Sequence, residues 1–424
     1  MLDNRFIRDN AEQVRKMLAD RGADADLDGF LGIDKEFRVV VEEVNSLKHE
    51  KNVVSREISS ERDPGLKKGK IGRMKEVNQR LKDLDLRSRD LDRLRNEIRL
   101  TIPNMPLPSV PVGEDERSNV VLAEWGAPRV LEFEPRGHVE LSGSLGIIDI
   151  TRGAKITGSG FYVLRGAGAR LERALMNFMM DLHAERGWKE IWPPALCNSE
   201  SMVGTGQLPK FEEDMYRLPK DDLYLIPTAE VPVTNLHREE ILSTDELPIR
   251  YQAFSPCFRR EAGHHAGEEG IIRVHQFHKV ELVSICTPED GLSELEHLTE
   301  EAEEVLKRLE LPFRRVELCT GDLTFSSAKT YDLEVFSPYQ DRWLEVSSCS
   351  CFTDFQARRS MIKYRPEPHL PSEFAYTLNG SGLALGRTMV AILENYQLGD
   401  GAIEVPSALR GYMGGIERVN GDTR

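Results

Sequence analysis

No apolar run in this 424-residue sequence approaches the ~18 residues that a membrane-spanning helix requires, which excludes a helical membrane protein. The start, Met1-Leu2-Asp3-Asn4-Arg5, lacks the basic and then apolar pattern of a secretory signal. Cysteine is sparse: six residues (Cys197, Cys257, Cys286, Cys319, Cys349, Cys351) are scattered through a long chain, as reduced thiols are and a disulfide framework is not. The cytoplasm is therefore the expected compartment. The single-residue spacer between Cys349 and Cys351 is shorter than zinc-site spacing, so structural zinc is not expected. Also missing are a G-x-x-x-x-G-K-[ST] loop, a G-x-G-x-x-G turn between strand and helix, internal repeats and low-complexity tracts. Any phosphate must then be held by side chains.

What is present begins with an uneven distribution of charge. The net charge of −15 argues against a nucleic-acid partner, since phosphates are neutralised by lysine and arginine. Residues 35–99, however, carry 18 Lys and Arg against 13 Asp and Glu, a net of +5, which leaves −20 on the remainder. A basic module is attached to an acidic body. A solvated helical surface of mixed charge would read the same way on charge alone.

Asp9-Asn10-Ala11-Glu12 reads as a capping box opening a short helix that turns Val14 and Leu18 inward and stops at Gly22. Ile33, Val40, Leu47 and Val54 then recur every seven residues, interleaved with Phe37, Val44, Lys51 and Ile58. A second seam has Val77, Leu84, Leu91 and Ile98 in one register and Met74, Leu81, Ser88 and Arg95 in the other. Asp63-Pro64-Gly65, Gly69 and Gly72 lie between them and read as a helix-breaking reversal. Two seams joined by a breaker predict an antiparallel hairpin of helices roughly 40 Å long, with a dimerisation coiled coil as the alternative. The four prolines of Thr101 to Val112 read as a linker. Downstream, short apolar strands (Leu223 to Ile226, Tyr331 to Phe336, Trp343 to Val346) alternate with amphipathic helices. An α+β domain on a mostly antiparallel sheet is expected. The organisation is an arm over 1–100, a proline-rich linker over 101–118 and a larger domain over 119–424.

Three segments offer ligand-binding groups. The first is a helix from Arg170 to Glu185, with Leu171, Leu175, Phe178 and Leu182 on one face, followed by Trp188 to Pro194; by itself it reads as core packing. In the second, Phe258-Arg259-Arg260-Glu261, a polar loop and Arg273-x-x-x-Phe277-x-x-x-Glu281 read as strand, turn and strand. Arginine suits phosphate because its planar fork donates two hydrogen bonds and keeps its proton, while Phe277 offers a flat face to a base. The third, Asn379-Gly380-Ser381-Gly382-Leu383-Ala384-Leu385-Gly386-Arg387, reads as a glycine-rich turn entering a helix near Thr388.

Together these segments resemble motifs 1, 2 and 3 of the class II aminoacyl-tRNA synthetases, in order. Thr228-Ala229-Glu230, Arg259-x-Glu261, Glu345-Val346-Ser347-Ser348, Thr377-Leu378-Asn379-Gly380-Ser381-Gly382 and the hairpin resemble the seryl-tRNA synthetase family in particular. The resemblance covers nearly the whole chain, from Met1 to Pro406.

It implies an N-terminal coiled-coil hairpin joined to a class II catalytic domain, using ATP and Mg²⁺ to activate L-serine and load it onto tRNA(Ser). Charging of tRNA(Sec) stays open. Arg259 and Arg387 become the catalytic arginines: Arg259 for the α-phosphate and serine carboxylate, Arg387 for the γ-phosphate. Arg260, Glu261, Val274 and Phe277 take the adenine side, and Glu345, Val346, Ser347 and Ser348 the phosphates, with Glu345 and Ser348 on Mg²⁺. Thr228, Ala229, Glu230, Glu281, Asn379 and Ser381 become serine contacts. Pro194 closes motif 1, implying a homodimer. The arm grips tRNA, with Lys67, Lys68, Lys70, Arg73, Lys75 and Arg80 as candidates.

The loop after Glu261 departs from the family pattern. It reads AGHHAGEEGII, apparently one residue shorter and acidic where the family's is basic, so Glu268 and Glu269 bear on the tRNA acceptor contact. The alternative function is a paralogue that makes seryl-adenylate and loads serine onto another acceptor. His264, His265, His275 and His278 read as solvated loop and strand histidines, since no metal spacing accompanies them.

Overall fold

A computed structural model describes residues 1–261 and 270–421. Two compact units are distinguished, residues 2–103 and a larger one comprising Met1 and residues 104–424. No helix among the described residues is long and apolar enough to cross a membrane.

The smaller unit contains α1 (Asn4–Asp9), α2 (Ala11–Asp20), α3 (Leu27–Ser60) and α4 (Pro64–Arg99). The expected capping box does not form: Asp3 caps α1, and the Asn10 side chain turns back to donate to the Phe6 carbonyl instead of capping α2. Val14 and Leu18 are nonetheless buried, as the periodicity requires. Helices α3 and α4 run antiparallel and bury Val40, Val44, Val77, Leu81, Leu84 and Leu91 along the seam. At 34 and 36 residues they are longer than expected, about 50 Å each. Gly65, Gly69 and Gly72 do not break the chain; they belong to α4. Asp63 caps that helix by accepting from the Leu66 amide, and Pro64 occupies its first turn, where a missing N–H costs nothing. Reversal is confined to residues 61–63.

Ion pairs repeat the heptad across the hairpin. Arg73 meets Glu50, Arg80 meets Glu43 and Arg87 meets Glu36, seven residues forward in α4 for seven backward in α3. The anomalous seam residue Arg95 has its own explanation. Its guanidinium lies 4.0 Å from the Phe37 ring centroid and 2.8 Å from the carboxylate of Asp34, which Arg38 and Arg8 also reach.

The larger unit is built on an eight-stranded sheet. Its strands are β1 (Val120–Trp125), β2 (Lys189–Ile191), β3 (Ile249–Phe258), β4 (Gln276–Cys286), β5 (Phe313–Glu317), β6 (Lys329–Ser337), β7 (Arg342–Cys351) and β8 (Tyr376–Ala384). The spatial order is β1-β5-β6-β7-β8-β4-β3-β2; every neighbouring pair is antiparallel except β2 with β3. Besides two short helices, His138–Leu145 and Ile150–Thr157, the described residues of this unit form α5 (Gly166–Glu185), α6 (Ser199–Thr205), α7 (Glu230–Thr234), α8 (Gly291–Arg308), α9 (Phe355–Ser360) and α10 (Leu385–Asn395). Helices α5, α8 and α10 share the main core with one face of the sheet, including Leu175, Leu298 and Ile392. The opposite face is left for ligand-binding groups.

Candidate active site

Strand alternation decides which side chains reach that face. Along β4, Val280 and Leu282 point into the helix-covered core, while Phe277, Lys279 and Glu281 point the other way. Segment 379–384 obeys the same rule and is strand, not the expected glycine-rich turn; the helix begins at Leu385. Asn379 and Ser381 face the site, and the intervening glycines face the core. A Cβ on Gly380 would stand 2.1 Å from Leu298 Cδ2 and 2.8 Å from Cys349 Sγ, so glycine is what lets α8 lie against β8.

Glu281 is the centre of the constellation and is fully buried. One carboxylate oxygen accepts from Thr228 Oγ1 and pairs with Lys279 Nζ; the other accepts from Asn379 Nδ2 at 2.7 Å. The Thr228 hydroxyl also accepts the Glu230 amide at 3.2 Å, tying the start of α7 to the same carboxylate. Ala229 is buried beneath, among Tyr251, Ala253 and Val283. Glu230 is buried too. Loss of water, reinforced by the nearby Glu281 charge, pushes its carboxyl up to about 7, against the opposing effects of Gln356, Lys279 and Arg259. The Ser381 carbonyl accepts from Ser347 Oγ at 2.6 Å, joining β7 to β8 at this level.

Arginines lie further along the sheet. Arg259 Cζ stands 5.2 Å from the Phe277 ring centroid, and its Nε donates to the Pro227 carbonyl at 3.4 Å. Arg260 leaves its side chain exposed and donates its amide to Asp214. Glu261 pairs with Arg273 at 2.7 Å and adopts a positive φ of 48°. Arg387, in the first turn of α10, reaches the Glu345 carboxylate at 3.1 Å and the Ile272 carbonyl at 3.2 Å. Partial loss of water opposes the Glu345 charge, but the Arg387 guanidinium, with Arg259 and Lys279, holds that carboxyl below its ordinary range. Val274 and Val346, expected to line the nucleotide site, are instead buried in the helix-covered main core.

Two groups here, the buried Lys279 and the half-buried Asp332, escaped the sequence reading. Lys279 shares a strand face with Glu281 two residues away, a signal that alternation alone would have supplied. Asp332 lies across from Ser348 on β6; burial, then the Glu345 charge, pushes its carboxyl well up, and its Oδ1 has no hydrogen-bond partner. His275 donates from Nδ1 to the Arg259 carbonyl at 3.0 Å, and His278 meets Glu172 and stacks on Phe254. His264, His265, Glu268 and Glu269 lie outside the described residues. All six cysteines are unpaired and buried.

The chain that carries this site, with an arginine over an aromatic ring at one end and buried carboxylates at the other, is similar to known proteins over 99% of its length. Residues 1–106 match the family described as "Seryl-tRNA synthetase N-terminal domain", and residues 210–396 match "tRNA synthetase class II core domain (G, H, P, S and T)". The Serine--tRNA ligase of Pelobacter propionicus is 51% identical over 99% of this chain and 100% of its own length. That of Trichlorobacter lovleyi is 52% identical with the same coverage. This chain belongs to the seryl-tRNA synthetase family.

Two solved seryl-tRNA synthetases extend the likeness to three dimensions. The enzyme of Pyrococcus horikoshii, solved with ATP, superposes with a TM-score of 0.93 at 37% identity, covering 99% of both chains. The cytoplasmic enzyme of Naegleria fowleri, solved with AMP, gives 0.89 at 30% identity, covering 100% of this chain and 99% of its own. The arm is thus the seryl-tRNA synthetase N-terminal hairpin, and the sheet is the class II catalytic core. Among the arm's six expected RNA contacts, Lys70, Arg73 and Arg80 are engaged in ion pairs, whereas Lys67, Lys68 and Lys75 form none among the described residues.

Proposed function

We propose that this chain activates L-serine with ATP, forming seryl-adenylate and releasing pyrophosphate, and then transfers serine to the 3′-terminal adenosine of tRNA(Ser). The observation that carries the amino-acid side is the charge count around Glu281. Two buried carboxylates, Glu230 and Glu281, face one buried ammonium, Lys279. Among these buried groups one negative charge is left for the α-ammonium of a small amino acid, and the Arg259 guanidinium, which also acts on Glu230, is left for the amino acid's carboxylate. The raised Glu230 pKa fits this reading: without a ligand cation the second carboxylate charge is costly to bury. Thr228, Asn379 and Ser381 close the pocket to a small side chain. Serine is favoured over alanine because alanine would leave buried polar groups unpaired.

Arg259, between Pro227 and Phe277, reaches toward both the serine carboxylate and the α-phosphate, while Phe277 receives adenine beside Glu261 and Arg260. Arg387 takes the γ-phosphate. Attack of the carboxylate on the α-phosphate needs alignment and neutralisation of developing charge, with no general base. A Mg²⁺ ion fits beside Glu345 and Ser348: magnesium is usually held by one or two carboxylates together with substrate phosphates, and the unpartnered Asp332 Oδ1 adds a polar group there. When bound, it neutralises phosphate charge. Residues 1–100 form the tRNA-gripping arm, 101–118 the linker and 119–424 the catalytic domain. A cytoplasmic homodimer joined through α5 and the segment ending at Pro194 completes the reading, with Trp192 exposed there.

Serine-dependent pyrophosphate exchange, run beside acylation of tRNA(Ser) transcripts with labelled serine, tests the proposal. Both are expected. Exchange without acylation would favour a seryl-adenylate-forming paralogue with another acceptor, and absence of exchange would defeat both readings. Reversing Lys67, Lys68 and Lys75 to glutamate is expected to weaken acylation and leave exchange intact.

A further inference from the structure

The Glu230 carboxyl is held from a direction that none of the three motifs supplies. Gln356, in α9, lies 126 residues away in sequence and donates from Nε2 to Glu230 Oε1 at 2.6 Å. The same Nε2 group donates to the Thr205 carbonyl at the end of α6, at 3.1 Å. On the other side of the amide, Oε1 accepts from Thr377 Oγ1 at 2.8 Å. Gln356, Thr205 and Thr377 are all buried. The amide can therefore neither rotate nor flip without losing a partner, because Thr377 offers a donor only to oxygen and the Thr205 carbonyl only accepts. Glutamine is the residue that can satisfy both contacts and still present an N–H to a carboxylate.

We propose that Gln356 is a positioning residue for serine recognition: anchored by Thr377 and the Thr205 carbonyl, it fixes the rotamer of Glu230 and favours its charged form. The inference rests on Glu230 being a serine contact. An N–H donated to a carboxylate stabilises the ionised state, so Gln356 opposes the desolvation that drives Glu230 toward neutrality. The other charges facing Glu230 are Glu281 and Lys279 from β4 and Arg259 from the end of β3. Charged side chains of the adjoining segments are engaged elsewhere: Arg238 with Glu200, Arg358 with Asp354, and Arg359 with the carbonyls of Val203 and Leu208. Among the described neutral groups, Gln356 is the one that hydrogen-bonds this acid's side chain.

The test is serine-dependent pyrophosphate exchange with the full chain, titrating serine and ATP separately between about pH 6 and pH 9, a range bracketing an acid near neutrality. Gln356→Met keeps the volume and removes the amide; Thr377→Val keeps the shape and removes only the anchoring hydroxyl. With Gln356→Met the serine KM is expected to rise roughly tenfold, the equivalent of one hydrogen bond to a charged group, while the ATP KM holds within about twofold. The acid limb of kcat/KM for serine should move to higher pH, since the lost donor had favoured the carboxylate. Thr377→Val should shift both quantities in the same direction by less. A general packing defect would instead raise both KM values or lower the melting temperature without moving the acid limb, and that result overturns the proposal. So does an unmoved acid limb in Thr377→Val should Gln356→Met fail to fold. Wild-type protein lacking serine-dependent exchange would refute the serine reading itself, a failure distinguishable from unchanged variants of an active enzyme.

Discussion

Lys279 and Glu281, two residues apart on one strand, hold opposite charges against each other in the buried floor of the site. A buried pair of this kind is worth little relative to an apolar replacement of both partners, yet removal of one partner strands the other. Lys279→Met is expected to destabilise the protein by on the order of 3–5 kcal/mol and to abolish serine-dependent exchange. Adding Glu281→Gln should restore much of the melting temperature and none of the exchange. Full stability in the single variant would show that the pair does not carry its charge in the folded protein.

Glu230 should give the free protein an unusual pH response. Its carboxyl is raised from the ordinary 4.5 to about 7 in the folded state. Between those values the folded protein holds a proton that the unfolded chain has lost, so this group's contribution is fully present below the unfolded pKa and declines as pH rises through 7. The loss amounts to on the order of 3 kcal/mol. Chemical denaturation from pH 5 to pH 8 should show it in the wild type, and Glu230→Gln should remove it. A matching slope in Glu230→Gln would assign the effect to other groups. Saturating serine should oppose the decline by favouring the carboxylate.

On β8, Gly380→Ala drives a methyl group to within 2.1 Å of Leu298 Cδ2. Overpacking of this kind costs about 1–3 kcal/mol, and relief requires the Leu298 side chain to leave its rotamer or α8 to shift from the sheet. Reduced stability with raised serine KM is expected, since Asn379 and Ser381 flank the position. Equilibrium unfolding and exchange kinetics report the two effects separately.

In the arm, Asp34 is 1% exposed and receives Arg8, Arg38 and Arg95. Asp34→Ala leaves Arg95 with only the exposed Asp92 as counter-charge, 2.6 Å away, and should destabilise the hairpin by on the order of 1–3 kcal/mol. Acylation is expected to fall while exchange is retained, which separates loss of the arm from loss of the active site. Gly69→Ala and Gly72→Ala act in the opposite sense. Neither new Cβ meets another atom within 4 Å, so each should stabilise α4 by about 0.5–1 kcal/mol through helix propensity.

The sequence by itself determined the elements whose signal is periodic. Heptad spacing specified the α3–α4 hairpin because a seam must stay on one side of a helix, and the even spacing of Phe277 and Glu281 put them on one face of a strand, which the structure begins at Gln276 and not at Arg273. The family motifs, read from short runs of residues, located Arg259, Glu281, Glu345 and Arg387. Local signals misled where glycine has two meanings. Gly65, Gly69 and Gly72 looked like breakers but lie in an exposed helix that a good cap starts, and Gly380 and Gly382 looked like a turn but clear space for a helix on a strand. The tertiary structure alone decided which distant groups meet: Gln356 against Glu230, Asp332 beside Glu345, and Lys279 as counter-charge to two carboxylates. Such contacts leave no local trace because they depend on how far the sheet and its helices bring separate segments together, and burial in that low-dielectric floor then sets their charge.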